Sequence, residues 1–182
     1  MKVYAFLADG FETVEALGVI DMLRRAKVDV VTVSITDKKE VVSSHRIPVI
    51  ADMIFSETDF SDGDMLFLPG GLPGTTNLEA CGELIDLINE YYKTDRYIAA
   101  ICAAPSILGH MGLLNGKKAT CYPGYEKDLT KAEVTGEGVT VDGKILTAKG
   151  MGKTIDLGLA ILDITSGEET KTRIGKAIQY LA

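Results

Sequence analysis

A thiol stands where an apolar run, Tyr97 to Ile101, gives way to Ala103, Ala104 and Pro105. The run has the length of a buried strand, and the small residues with a proline read as the first turn of a helix. A sharp strand-to-helix turn forces strained backbone angles on its central residue and needs small residues two positions to either side. Ala100-Ile101-Cys102-Ala103-Ala104 meets that demand as small-x-Cys-x-small. Cys102 is therefore expected to be a nucleophile. Its sulfur would lie over a helix N-terminus whose partial positive charge favours thiolate. Such sites bring a thiol from about 8.5 down to roughly 3.5–7.5. The amides of Ala103 and of the Gly70-Gly71 loop would converge as an oxyanion hole. From this stretch alone, a packed core cysteine between two buried elements remains the competing reading.

The other reactive side chains have weaker claims. Cys81 falls within a helical pattern with no junction or cationic neighbour and reads as packing. Cys121, in "ATCYPGYE", ends a short strand and also reads as structural. Three cysteines at wide spacing form neither a disulfide framework nor a metal pattern. His45 and His110 read as surface or cap residues. Glu12 and Glu15 are three apart and so share a helix face. Acids in a first helical turn are expected on dipole grounds alone. The functional alternative points one of them at Cys102, where a raised carboxyl pKa would let it donate to sulfur or carry a proton. "LPGGLPGTTNL" has neither GxxxxGK[ST] nor GxGxxG, so its glycines read as close backbone approach and not as a phosphate cradle.

Strand-like and helix-like segments alternate along the chain, which implies a parallel sheet with helices on both faces. "KVYAFLA" is a first strand, and "ETVEALGVIDMLRRA" a helix with acids in its first turn and Arg24-Arg25 in its last. "VDVVTVSI" is a second strand, and Val41 to Phe55 a small hairpin or edge ribbon. "DMLFLPGG" and "YIAAI" are buried strands. Thr76 and Glu79 form a capping box ahead of a helix with Leu84, Leu87, Ile88 and Tyr91 on one face. "KKATCY" is a short strand, and "VTVDGKILTA" a hairpin around Asp142-Gly143, a type I′ signal. "KTIDLGLAILDIT" is a core helix, and Ser166 with Glu169 caps a separate C-terminal helix. The expected fold class is α/β, a doubly wound three-layer sandwich, with ligands at the carboxyl edge of the sheet. Three loops end strands there: Asp9-Gly10, Pro69-Gly70-Gly71 and Cys102.

The 182 residues fit one domain spanning 1–182. A net charge of −7 argues against nucleic acid or an anionic membrane as partner. No apolar run approaches the roughly 18 residues of a spanning helix. The N-terminus reads as a strand and not a signal peptide, so a reduced, cytoplasmic protein is expected.

"GFETVEAL", "LPGGLPGTTNL", "AAICAAPSILG", "TCYPGYEKDL" and "DGKILTAKGMGKTIDLGLAIL" together resemble the ThiJ/PfpI superfamily, in order and at family spacing. The resemblance is nearest to the branch of the Parkinson-associated protein deglycase and its bacterial relatives. It implies a flavodoxin-like sandwich that forms a homodimer and uses no metal or organic cofactor. It implies Cys102 as nucleophile and Glu15 as the acid that hydrogen-bonds it. Gly70, Gly71 and Ala103 would frame the pocket, with Glu12, Leu72, Tyr122 and Met151 around its rim. The implied activity is on small aldehydes or dicarbonyls, as a glyoxalase or deglycase. An oxidative-stress sensor or chaperone using the same thiol is the alternative, and a cysteine peptidase or amidase the third. Ala103 stands where the peptidase branch has a histidine. Tyr122-Pro123 stands where some deglycase-branch members carry a pocket histidine, so Glu15 would have to move the protons alone.

Overall fold

Strands that are apolar on both faces are stable only when helices cover both sides. The computed structural model describes residues 1–182 and has this arrangement. Its strands are β1 (Lys2–Leu7), β2 (Asp29–Ser34), β3 (Glu40–Val42), β4 (Pro48–Ile50), β5 (Met53–Ile54), β6 (Met65–Leu68), β7 (Tyr97–Ile101), β8 (Lys118–Ala119), β9 (Glu133–Val134), β10 (Val139–Asp142) and β11 (Ile145–Ala148). The helices are α1 (Thr13–Arg25), α2 (Gly74–Ala80), α3 (Gly82–Lys93), α4 (Pro105–His110) and α5 (Thr154–Ala177). The main sheet runs β10-β11-β7-β6-β1-β2-β5, parallel except for the β10–β11 pair.

Alternation along β1 shows how the layers close. Val3, Ala5 and Leu7 enter the core shared with α1 and α5. Tyr4, Phe6 and Ala8 enter the opposite core, under α2, α3 and α4. The chain leaves β1 toward β2 but returns on its other side as β6, so a crevice opens at the carboxyl ends of β1 and β6, where such sheets bind ligands. The β3–β4 ribbon closes one flank of that edge. Val42 N–H donates to Asp9 Oδ1 at 2.8 Å, Gly10 N–H to the Val42 carbonyl at 2.8 Å, and Ser44 N–H to the Phe11 carbonyl at 2.8 Å.

Several local expectations are corrected. Thr76 lies inside α2, and neither α2 nor α3 has a side-chain cap, so the Thr76–Glu79 capping box does not form. Cys81 is not in a helix interior; it is the junction residue between α2 and α3, with extended backbone. Both helices are short and close-set, and a periodic apolar pattern carries straight across such a break. The β10–β11 hairpin pairs Asp142 with Ile145, which places Gly143 and Lys144 in the turn. Only Gly143 has positive φ, at 60°, the type II′ pattern and not I′. The helix break near residue 166 is made by Gly167 at φ 81°, ψ 165°. The Ser166 hydroxyl meets Thr165 and not the Glu169 amide, so glycine geometry does the work assigned to a capping box. "KKATCY" contributes only Lys118–Ala119 as strand, paired with β9 outside the main sheet. No helix is long and apolar enough to cross a membrane.

Candidate active site

β7 ends at Ile101, and Cys102 takes φ of +66°, a left-handed conformation that costs a side-chain-bearing residue about 1–2 kcal/mol. Two backbone bonds hold it there. Its N–H donates to the Ala148 carbonyl at the end of β11 (2.9 Å), and its carbonyl accepts from Tyr122 N–H (2.8 Å). Ala103 and Ala104 are buried, as the tight reversal requires. The chain then enters α4 with Pro105 in its first turn.

Glu15 sits in the first turn of α1 and is 1% exposed. Glu12 is the N-cap: its carboxylate accepts from Glu15 N–H at 2.7 Å, which turns it toward its own helix and leaves the Glu15 side chain to face Cys102. Glu15 Oε2 accepts from Gly70 N–H at 3.1 Å, and the Met151 amide also faces the carboxylate. Burial raises the Glu15 carboxyl to about 7, assisted by the charge of Glu12, while its bonds to Cys102, Gly70 and Met151 act the other way. Gly70 must be glycine: a Cβ there would stand 2.5 Å from Cys102 Cβ, 2.6 Å from Glu15 Oε2 and 2.8 Å from the Ile101 carbonyl oxygen.

The thiol departs from the expected depression. Burial, then the charge and hydrogen bond of Glu15, push Cys102 up to about 12, against the pull of the Gly71 and Ala103 amides on sulfur. α4 is only six residues long and starts three residues beyond the sulfur, so the helix N-terminus is a weak counterweight. Only the part of that push that comes from Glu15 belongs to its ionised form; the part from burial remains. A protonated Glu15 carries no opposing charge and donates its O–H to sulfur, which favours thiolate. The two groups therefore hold one proton between them, as carboxylate with thiol or carboxylic acid with thiolate, and titrate as a pair.

The structure brings Cys102, Glu15, Gly70, Gly71 and Ala103 together, along with the Met151 backbone. Glu12 takes part only as the helix cap. Leu72, Tyr122 and Met151 present side chains that are half or more exposed around the opening. The wall formed by Ala148 and Gly150 escaped sequence reading. The Gly150 Cα faces both the Tyr122 ring and Glu15 Oε1, and β11 ends at the same edge as β1, β6 and β7. A strand followed by "AKGMG" was the available signal. Cys121 is buried on the α2–α4 side of the sheet, whereas Cys102 packs on the α1–α5 side, so the two sulfurs face apart. His110 bonds Glu79 at 2.6 Å and faces Asp128 at 3.6 Å, which raises its pKa; His45 is exposed beside Ser44. No group of three or more His, Cys, Asp or Glu side chains is placed to hold a metal ion.

Residues 1–164 match the DJ-1/PfpI family. Among curated relatives, DJ-1 homolog B of Arabidopsis thaliana is 34% identical over 172 residues, which are 94% of this chain and 39% of that protein. The Arabidopsis DJ-1 homolog A is 36% identical over 94% of this chain and 45% of its own length, so this chain spans less than half of either plant relative. DJ-1alpha of Drosophila melanogaster is 32% identical over 96% of this chain and 82% of its own. A solved DJ-1 superfamily protein of Salmonella typhimurium, a cysteine-to-alanine mutant, superposes with a TM-score of 0.95 at 32% identity, covering 100% of this chain and 99% of that one. Oxidized Toxoplasma gondii DJ-1 superposes equally well, at 0.95 and 31% identity over the same shares.

Three outcomes test the pair. In site-resolved alkylation by iodoacetamide, wild-type Cys102 reacts faster than in Glu15→Gln at pH 5–6, where the carboxylic acid is the stronger donor. The order reverses at pH 8–9, where only the wild type carries the opposing charge; superimposable profiles would show that Glu15 does not control the thiol. In thermal melts, the folded-state pKa of about 7 lies above the unfolded value of 4.5, so the buried carboxyl is tolerated below 4.5, grows costly as pH rises from there, and reaches its full cost above 7. Glu15→Gln therefore gains up to about 3 kcal/mol over wild type at pH 8–9 and close to nothing below about pH 4. Gly70→Ala, which forces a methyl against backbone and both reacting side chains, loses about 2 kcal/mol or more. It also shifts the Cys102 alkylation profile away from wild type.

Proposed function

The chain belongs to the DJ-1/PfpI family, and from that premise we propose that it is a cofactor-independent enzyme that converts reactive 2-oxoaldehydes such as methylglyoxal to 2-hydroxy acids. The observation that carries this reading is the buried carboxyl of Glu15, poised near pH 7 and hydrogen-bonded to a thiol on a strained turn. Cys102 Sγ adds to the aldehyde carbon as Glu15 protonates the nascent alkoxide, and the amides of Gly71 and Ala103 steady the charge. The resulting carboxylate then takes the proton from C1 of the hemithioacetal and returns it to C2 through an enediol. C1 is oxidised to a thioester while C2 is reduced to an alcohol, so no outside redox partner is needed. Water cleaves the thioester, releasing the 2-hydroxy acid and the thiol. The same addition on early glycation adducts of thiols and amines would make the protein a deglycase.

Supporting features bear on the setting. A nucleophilic thiol works only when reduced, which suits the cytoplasm. A groove of about 450 Å³ between α1 and α5 adjoins Met151 and is lined by Val14, Met22, Ile155 and Tyr180; it suits a second copy of the chain, as a homodimer. A peptidase is disfavoured, since Ala103 supplies no base and His110 is already engaged by Glu79 and Asp128.

A second reading rests on a separate observation. The sulfur is surrounded by donors, the Gly71 and Ala103 amides and a protonated Glu15, which would hold the oxygens of a sulfinate. Peroxide-dependent sulfinate at Cys102 without aldehyde turnover would favour a redox sensor. For the enzyme, methylglyoxal loss and lactate formation are followed by proton NMR. Cys102→Ala abolishes turnover, and Glu15→Gln lowers kcat by about 10²–10⁴. Turnover that survives in Cys102→Ala excludes the mechanism.

A further inference from the structure

Beside the catalytic pair, a pocket of about 380 Å³ is lined by Tyr122, Pro123, Lys149, Met151 and Lys153, with Gly150 in its wall. It adjoins the pair at Gly150, where a Cβ would meet both the Tyr122 ring at 3.2 Å and Glu15 Oε1 at 3.5 Å. The charged side chains lining it are two lysines and no acid, in a chain whose net charge is −7. Lys153 is paired with Asp156, at 2.9 Å. Lys149 is partly buried at the end of β11 and makes no ion pair and no side-chain hydrogen bond, although its charge is felt by Cys121, next to Tyr122. The charges of Glu126 and Asp128 act on Cys121 more strongly than that of Lys149, but neither acid forms an ion pair with Lys149: Glu126 accepts from Gly124 N–H at 2.7 Å, and Asp128 faces His110. A lysine that makes no ion pair, next to a site for carbonyl chemistry, is free to take an anion.

We propose that this pocket binds a carboxylate on the substrate, so that the preferred substrates are 2-oxoaldehydes carrying a carboxylate beyond the ketone. One free ammonium matches a monoanion better than a phosphate dianion. The carboxylate on Lys149 would hold the distal end of the molecule while its aldehyde meets Cys102 and its ketone stays near Glu15. The chemistry is unchanged and balances as before, since the carboxylate takes no part in it. This inference rests on the glyoxalase reading for its substrate but not for the pocket itself.

The test compares 4,5-dioxopentanoate with its methyl ester, which differ in charge at the far end only, in wild type and in Lys149→Met. Wild type is expected to favour the acid by about tenfold in kcat/KM, the scale of one charge-assisted hydrogen bond. The preference should shrink with added salt and fall to near unity in Lys149→Met. Equal rates in wild type, or a preference that survives Lys149→Met, overturn the pocket. In parallel, Cys102 is alkylated with iodoacetate and with iodoacetamide, a charged and a neutral reagent that need no turnover. A Lys149-dependent advantage for iodoacetate, with neither oxoaldehyde consumed, upholds the anion pocket and overturns the glyoxalase reading. No turnover and no such advantage overturns both.

Discussion

The structure turns on one proton held in a nearly dry niche. Glu15 is all but fully buried, and a buried carboxylate is costly unless it is bonded or neutralised. Two amides, from Gly70 and Met151, face it, which is too few to hold it fully ionised against burial and the charge of Glu12. The carboxyl consequently titrates near neutrality and shares its proton with the one neighbour able to take it, Cys102. Neither group can be assigned its own protonation state without the other. What would be a defect in a core position becomes a chemical capacity at the edge of a sheet.

Maintaining that niche dictates much of the surrounding backbone. Cys102 is held in a left-handed conformation by bonds to the end of β11 and to Tyr122. Gly70 leaves room for the carboxyl and the thiol to meet, and Gly71 at φ +94° lets its loop pass within contact of the Glu12 amide. Glu12 caps α1, and the buried face of that helix, with Ala16, Val19, Ile20 and Leu23, turns Glu15 inward. The three layers serve the same end. A doubly wound sheet brings the ends of β1, β6, β7 and β11 to one edge, so four separate stretches of chain contribute to a site that no single stretch contains.

The extent to which this was legible varies with the range of the interaction. Elements with long apolar runs, such as β1, β7 and α1, were readable because burial on both faces or on one helix stripe writes a period into the sequence. Cys102 was readable because a tight reversal demands small residues at fixed offsets. The signals that misled were caps and turns. Thr76 with Glu79 and Ser166 with Glu169 match a capping box, but Cys81 and Gly167 make the breaks. At both places the backbone geometry of one residue overrides a two-residue side-chain pattern. The depressed thiol pKa failed for a different reason. It weighed a helix N-terminus that local sequence shows and left out burial, which only the assembled fold supplies. Glu15 itself could be placed on a helix face but not aimed, since its partner lies 87 positions away, as 102 less 15, and is reached only through the sheet order.

A single carboxyl with no histidine beside it narrows the chemistry that the site can perform. General acid–base work is most effective when the pKa lies near the working pH, because the group must both give and take a proton in one cycle. An exposed glutamate near 4.5 is a poor acid at neutral pH; burial brings Glu15 into the useful range. One group that must serve every transfer can do so only if the atoms that exchange protons are close together. Adjacent carbonyl carbons satisfy that condition, with the alkoxide oxygen, the C1 hydrogen and the C2 carbon all within reach of one carboxyl. A peptide bond does not, since its leaving nitrogen and its attacking nucleophile call for a base and an acid on different sides. The same absence of a histidine that disfavours proteolysis is thus compatible with isomerising a small dicarbonyl.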